Sequence, residues 1–157
     1  MSAEFQLRRG EAGDAGSIRD LTRAAYAKWV PVIGREPKPM RADYDEALRT
    51  HRFDLLYVRD LLAGLIETDH EGDRLLVVNV AVAPEFHGQG LGSQLMMHAE
   101  GLARSLGCTR IWLYTGKLMA ENVRLYLKLG YTIDREEEID NGIFRLYMSK
   151  KLAGGDG

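Results

Sequence analysis

Hydrophobic positions along this chain switch between a period of two and a period near 3.6, and the switches divide it into elements. Residues 5–9 alternate, with Phe5 and Leu7 set between polar Gln6 and Arg8, and predict a short strand. Gly13 to Gly16 marks a turn. Asp14 there is placed to N-cap a helix whose apolar stripe is Ile18, Leu21, Ala25 and Trp29. Pro31, Pro37 and Pro39 predict irregular backbone next, before a short helix over 43–50. Three strand-like runs follow at 54–58, 61–67 and 75–82. The turns between them, Arg59-Asp60 and Glu71-Gly72-Asp73, are short enough to predict an antiparallel meander.

Beyond Val82 the period lengthens. Leu91, Leu95, Ala99, Leu102 and Leu106 share one helical face, and Gly107 ends that helix. Residues 110–114 predict a strand, 121–129 a helix stopped by Gly130, and 131–135 and 143–148 two further strands. The order is β-α-α-β-β-β-α-β-α-β-β. It predicts an α/β (α+β) fold with a mixed, mostly antiparallel seven-stranded sheet flanked by helices. A strand, a helix and a strand across 75–114 predict one parallel pair inside that sheet. A length of 157 residues suits one domain, drawn over 1–152, with 153–157 expected as a disordered tail.

Composition narrows the classes of function. Apolar residues make up 45% and charged residues 28%, the balance of a water-soluble globular protein. A net charge of −2 gives no basis for a nucleic-acid or membrane partner. The single cysteine, Cys108, excludes an internal disulfide and a cysteine-based metal cluster, and it reads as a small buried residue. No metal site is expected. Residues 1–10 carry no apolar leader and no run has the length of a membrane span, so a cytoplasmic location is expected.

The chemistry lies where the strand 75–82 hands over to the long helix. His87-Gly88-Gln89-Gly90-Leu91-Gly92-Ser93 sets three glycines at alternate positions at a helix start. Glycines let another group approach the backbone, and free amides at a helix N-terminus favour an anion such as phosphate. A P-loop would need a lysine after the last glycine, and Gly92-Ser93-Gln94 has none. A dinucleotide fingerprint would need glycine where Ser93 stands. A tight turn with no ligand is the remaining structural reading.

The segment from Asn79 to Gly92 resembles the acetyl-CoA motif of the GCN5-related N-acetyltransferase (GNAT) family. That motif runs Arg or Gln, two residues, Gly, one residue, Gly or Ala. His87 stands at its first position and departs from it. The segment Arg124-Leu125-Tyr126-Leu127-Lys128-Leu129-Gly130-Tyr131 is similar to the family's second cofactor segment, and the element order matches the family fold. The resemblance implies an acetyl-CoA-dependent N-acetyltransferase (EC 2.3.1.-) acting on a primary amine of a small molecule, peptide or protein. It implies that Val80, Ala81 and Val82 run beside the pantetheine arm, through the Val80 and Val82 backbones. It also implies that Gly88, Gln89, Gly90, Leu91, Gly92 and Ser93 hold the pyrophosphate through their amides, with His87 at the motif's head. A homodimer is compatible with it.

Amide formation requires a neutral amine and a protonated leaving thiolate. An amine of pKa about 10.4 is neutral in roughly one molecule in 2,500 at pH 7, a cost of about 4–5 kcal/mol. The resemblance implies Tyr126 as the acid, four residues before Gly130; a core tyrosine is the alternative. Asn122, one helical turn before Tyr126, is a candidate for the pantetheine arm, although the family asparagine falls where Met119 stands. Ribosomal-protein acetyltransferases place a glutamate base where this chain has Tyr114. The candidates left are Glu67, acting through water, and Asn79, orienting that water; both also read as sheet-edge residues. His98 is read as structural. Ile111 and Leu113, or Trp112 and Tyr114, are alternative linings for an acyl tunnel. Glu136-Glu137-Glu138 with Asp140 are expected in a loop between the last two strands, either bordering the acceptor or simply solvated. Irregular residues 30–40 are expected to shape the acceptor side. Two other functions stay open: a non-catalytic acyl-CoA sensor or interaction module on the same fold, and a nucleotide-binding regulatory domain.

Overall fold

The computed structural model describes residues 4–152. The expected tail at 153–157 lies outside them. Seven strands form one sheet in the order β1-β2-β3-β4-β5-β7-β6. They are β1 (Gln6–Arg9), β2 (Arg52–Val58), β3 (Leu61–Glu71), β4 (Arg74–Val82), β5 (Arg110–Gly116), β6 (Thr132–Asp140) and β7 (Ile143–Lys151). The helices are α1 (Ala15–Tyr26), α2 (Val30–Ile33), α3 (Tyr44–Thr50), α4 (Leu91–Ser105) and α5 (Ala120–Lys128). Every neighbouring pair of strands is antiparallel except β4 and β5, the parallel pair expected from the strand–helix–strand unit.

Helices cover both faces because both faces of the central strands carry apolar side chains. On one face α4 lays Leu95, Met96 and Ala99 against β3 and β4, all three fully buried. On the other, α1 contributes Ile18, Leu21 and Ala25. Each fully buried leucine or isoleucine contributes about 1.5–3 kcal/mol of transfer free energy. Among the described residues no helix is long and apolar enough to cross a membrane.

Several sequence expectations need correction. Asp14 does not cap α1 with its side chain. Its carboxylate instead takes two bonds from Arg8, at 2.8 and 2.9 Å, and one from the Glu11 amide at 2.7 Å. The first helix stops at Tyr26 and tightens into a 3₁₀ turn over Ala27–Trp29. The proline-rich stretch is not wholly irregular: Pro31 sits inside the first turn of α2, where a missing amide costs nothing. A 3₁₀ turn, Lys38–Arg41, follows it.

The largest miss is the acidic run. Glu136, Glu137, Glu138 and Asp140 lie in β6, paired with Leu146, Arg145, Phe144 and Ile143 of β7. A ladder overrides the poor strand propensity of glutamate, and an edge position lets the charges stay in water. Each acid also has a local partner: Lys117 with Glu136, Tyr147 with Glu137, the Gly142 amide with Glu138 and Arg35 with Asp140.

Candidate active site

The parallel pair is short, and that shortness opens the site. β4 and β5 are in register only from Arg74 to Val77 against Arg110 to Leu113. Beyond Val77 a bulge at Val78 shifts the β3–β4 register. Bulges bend a strand and re-aim its side chains. The second half of β4 therefore keeps β3 on one side and has no strand on the other.

Backbone direction along that free edge can be read from its contacts. The Val80 carbonyl accepts from the Tyr26 hydroxyl at 3.3 Å, and the Val82 carbonyl meets His87 Nε2 at 2.8 Å. Ala81 and Leu65 are cross-strand partners, and the Ala83 amide donates to Ala63 of β3. Alternation then turns the Val80 and Val82 backbones toward the gap and Ala81 toward β3. His87, the departure from the motif, turns its ring back onto β4.

A cavity of about 300 Å³ lies along this edge. Val80, Ala81, Val82, His87, Gly88, Gly90, Leu91, Gly92, Asn122 and Tyr126 line it; Gln89 and Ser93 do not. Gly88 (φ 80°) and Gly90 (φ 79°) are left-handed, and a Cβ at either would point into open space. Gly92 is small for a different reason: a Cβ there would lie 3.3 Å from Leu125 of α5. The Gln94 amide makes the first backbone bond of α4, to Gly90 at 3.1 Å. The amides of Leu91, Gly92 and Ser93 thus have no partner within the helix. Orphan amides, a helix N-terminus, an open cradle and an unpaired strand edge are the features that fit a pyrophosphate and an extended amide-bearing arm. Lys28 and Glu121, an ion pair, face each other across this cavity.

Tyr126 is buried, and its hydroxyl has no hydrogen-bond partner among the described residues. Burial pushes that hydroxyl well above its usual range, so it stays protonated at neutral pH. Asn122 does not cap α5; Met119 holds the N-cap position, and the Asn122 amide reaches its sulfur at 3.6 Å.

A second cavity, about 540 Å³, lies on the sheet face that carries Leu76, Val78 and Tyr114. Tyr26 lines both cavities and stands between them. Glu67 and Asn79 are directly opposed on β3 and β4, and both are buried rather than on the surface. Asn79 Oδ1 accepts from Tyr26 at 2.8 Å. Glu67 meets His51 Nδ1 at 2.7 Å, and the other ring nitrogen lies 3.8 Å from Asp69. Burial pushes the Glu67 carboxyl above the usual carboxylate range, against the pull of His51. Such a group takes up a proton near neutrality more readily than a surface acid does.

Sequence reasoning missed Tyr26, His51 and Arg145, all of which line the larger cavity. Tyr26 and His51 make their decisive contacts with β3 and β4, and no local spacing announced those. Of the two tunnel pairs, Ile111 and Leu113 are core residues, and Tyr114 is the one that faces the cavity. From β6 only Ile139 lines it, and Asp140 meets its wall through Arg35. His98 lies 3.5 Å from Asp54. Burial works against the Asp54 charge, but His98 and Arg52 outweigh it and hold that carboxyl low. Cys108 is buried, with its thiol pushed up by burial.

An open strand edge leading into a glycine nest, with a mainly apolar cavity behind it that holds a buried carboxylate, is the design of a coenzyme A-dependent acyltransferase. The chain belongs to the acetyltransferase (GNAT) family, whose model matches residues 17–131. Streptothricin acetyltransferase of Streptomyces lavendulae is 32% identical over 72 residues. That match covers 45% of this chain and 38% of the relative, so it spans well under half of that protein. An uncharacterized N-acetyltransferase of Bacillus subtilis (strain 168), YvbK, is 28% identical over 117 residues, covering 73% of this chain and 72% of its own. Among solved structures, the PaiA N-acetyltransferase of Thermoplasma acidophilum in complex with coenzyme A superposes with a TM-score of 0.79. It covers 94% of this chain and 99% of its own at 18% identity, a likeness of fold.

Proposed function

We propose that the protein transfers an acetyl group from acetyl-CoA to the primary amine of an acceptor bound in the larger cavity. One observation carries this reading: Tyr26 divides two cavities, one with a nest for anions and one with a buried carboxylate. Bound acetyl-CoA supplies an activated acyl carbon. The chain's own groups do the rest. Orphan amides of Leu91 and Gly92 bind the pyrophosphate, and the Val80 and Val82 backbones take the arm as an added strand. Binding moves His87 off the Val82 carbonyl, which the arm then uses.

Glu67 accepts the amine proton through water that Asn79 orients, and His51 passes it to solvent. Removing that proton offsets the cost of about 4–5 kcal/mol for holding a neutral amine. Tyr126 hydrogen-bonds the departing sulfur and donates its proton there as the tetrahedral intermediate collapses, a coupling that its raised pKa requires. Calorimetric titration with acetyl-CoA, followed by thiol release on adding amines, tests the reading. Binding below millimolar concentration and amine-dependent thiol are expected. No binding refutes the reading, and binding without thiol release for any amine leaves an acyl-CoA sensor instead.

A further inference from the structure

Four carboxylates and four cationic side chains line the larger cavity, and they are not matched one to one. Each of its four carboxylates has a partner. Arg23 donates to Glu36 at 2.9 Å and Arg49 to Glu46 at 2.6 Å. His51 meets Glu67 at 2.7 Å, and Asp43 caps α3 by accepting from the Glu46 amide at 3.2 Å. Arg35 is likewise paired, with Asp140 at 2.7 Å. Lys38, Arg41 and Arg145 are the cations left over, with no carboxylate within 4.0 Å among the described residues.

Arg145 is the best placed of the three. It is half-buried on β7 opposite Gly116 of β5, a neighbour with no side chain to cover it. Its guanidinium lies over the Tyr114 ring, 4.3 Å from the centroid, and its one hydrogen bond is a long 3.4 Å contact to the Tyr147 hydroxyl. Stacking holds the guanidinium plane and leaves an N–H edge for a planar anion. Glu67 stands at the far side of the same cavity, on β3. From β3 to β7 is three strand spacings, about 14 Å, and the parting of β4 from β5 widens it. Leu76, Val78 and Phe144 supply an apolar floor between them.

We infer that the acceptor is an ω-amino carboxylate: its amine at Glu67 and Asn79, its carboxylate at Arg145 with Arg41 at the rim, and an apolar chain between. This rests on the acyltransferase reading and narrows its substrate class.

The test uses amines in pairs that differ only by the carboxylate: 6-aminohexanoate and pentylamine, 8-aminooctanoate and heptylamine, with leucine and isopentylamine as the α-amino control and spermidine as the polycation. The best carboxylate-bearing acceptor should exceed its partner at least tenfold in kcat/KM. Arg145→Gln should bring that ratio near one while leaving the KM for acetyl-CoA unchanged. Arg41→Gln, a change at an exposed side chain, should lower the ratio severalfold in a protein of normal melting temperature. Preference for the decarboxylated amines or spermidine, or a ratio that survives both substitutions, overturns the inference. Where no amine is turned over, titration of the same pairs into the CoA-loaded protein must show the same preference, and its absence overturns it equally. Acetyl-CoA titration separates the two levels. Lost cofactor binding sinks the acyltransferase reading, whereas intact binding without carboxylate preference sinks only this one.

Discussion

Two buried tyrosines line the smaller cavity, and loss of either hydroxyl should have a different consequence. Tyr126 has no hydrogen-bond partner among the described residues, so Tyr126→Phe breaks no bond within the fold. Stability should stay within about 0.5 kcal/mol of the parent. Turnover should fall at least tenfold, about 1.4 kcal/mol of barrier, if the hydroxyl serves the leaving sulfur. Tyr26 is the opposite case. Its hydroxyl is the donor to Asn79 Oδ1 at 2.8 Å, and Asn79 is only 4% exposed. Tyr26→Phe orphans that oxygen, which costs about 1–3 kcal/mol. For a chain of this size each kcal/mol moves the melting temperature by about 2–4 °C, so 2 kcal/mol lowers it by roughly 4–8 °C. Differential scanning calorimetry and thiol release on both variants separate the roles. If Tyr126→Phe melts as low as Tyr26→Phe, or turns over at the parental rate, the assignment of the free hydroxyl to chemistry is wrong.

Glu67 should impose an acidic limb on kcat/KM, with its midpoint above the ordinary carboxylate value of 4.5 because burial raises it, and Glu67→Gln should abolish that limb. The sign for stability runs the same way: with a raised folded value, the contribution of Glu67 is fully present below pH 4.5 and is lost as pH rises through the folded value. Urea denaturation should therefore show Glu67→Gln gaining on the parent between acid and neutral pH, and a constant difference would refute this. Glu121 neutralises Lys28 across the smaller cavity, so Glu121→Gln should free that cation for phosphate and tighten acetyl-CoA binding about two- to fivefold, more at low salt. Unchanged or weaker binding by calorimetry would rule that role out.

Legibility in the sequence followed the range of the forces at work. The apolar period switch at Val82, the glycines at 88, 90 and 92 and the stop at Gly130 are local, and they located β4, α4, the nest and α5. The acidic strand β6 was not legible, because its pairing with β7 comes from the ladder and not from the propensity of glutamate. Glu67 and Asn79 were found as residue types but their burial was not legible, since it comes with contacts such as His51 to Glu67 and Tyr26 to Asn79 that join distant parts of the chain.

By itself, then, the sequence determined the element order, the parallel β4–β5 unit and a backbone able to cradle an anion. Those are properties of nearest neighbours: side-chain period, backbone freedom at glycine and free amides at a helix start. Only the tertiary structure decided how far β4 and β5 stay together, that Tyr26 reaches Asn79 across 53 residues, that His51 backs Glu67 and that Arg145 keeps an unpaired charge in the larger cavity. Contacts of that kind join residues with no fixed spacing between them, and the packed sheet creates them.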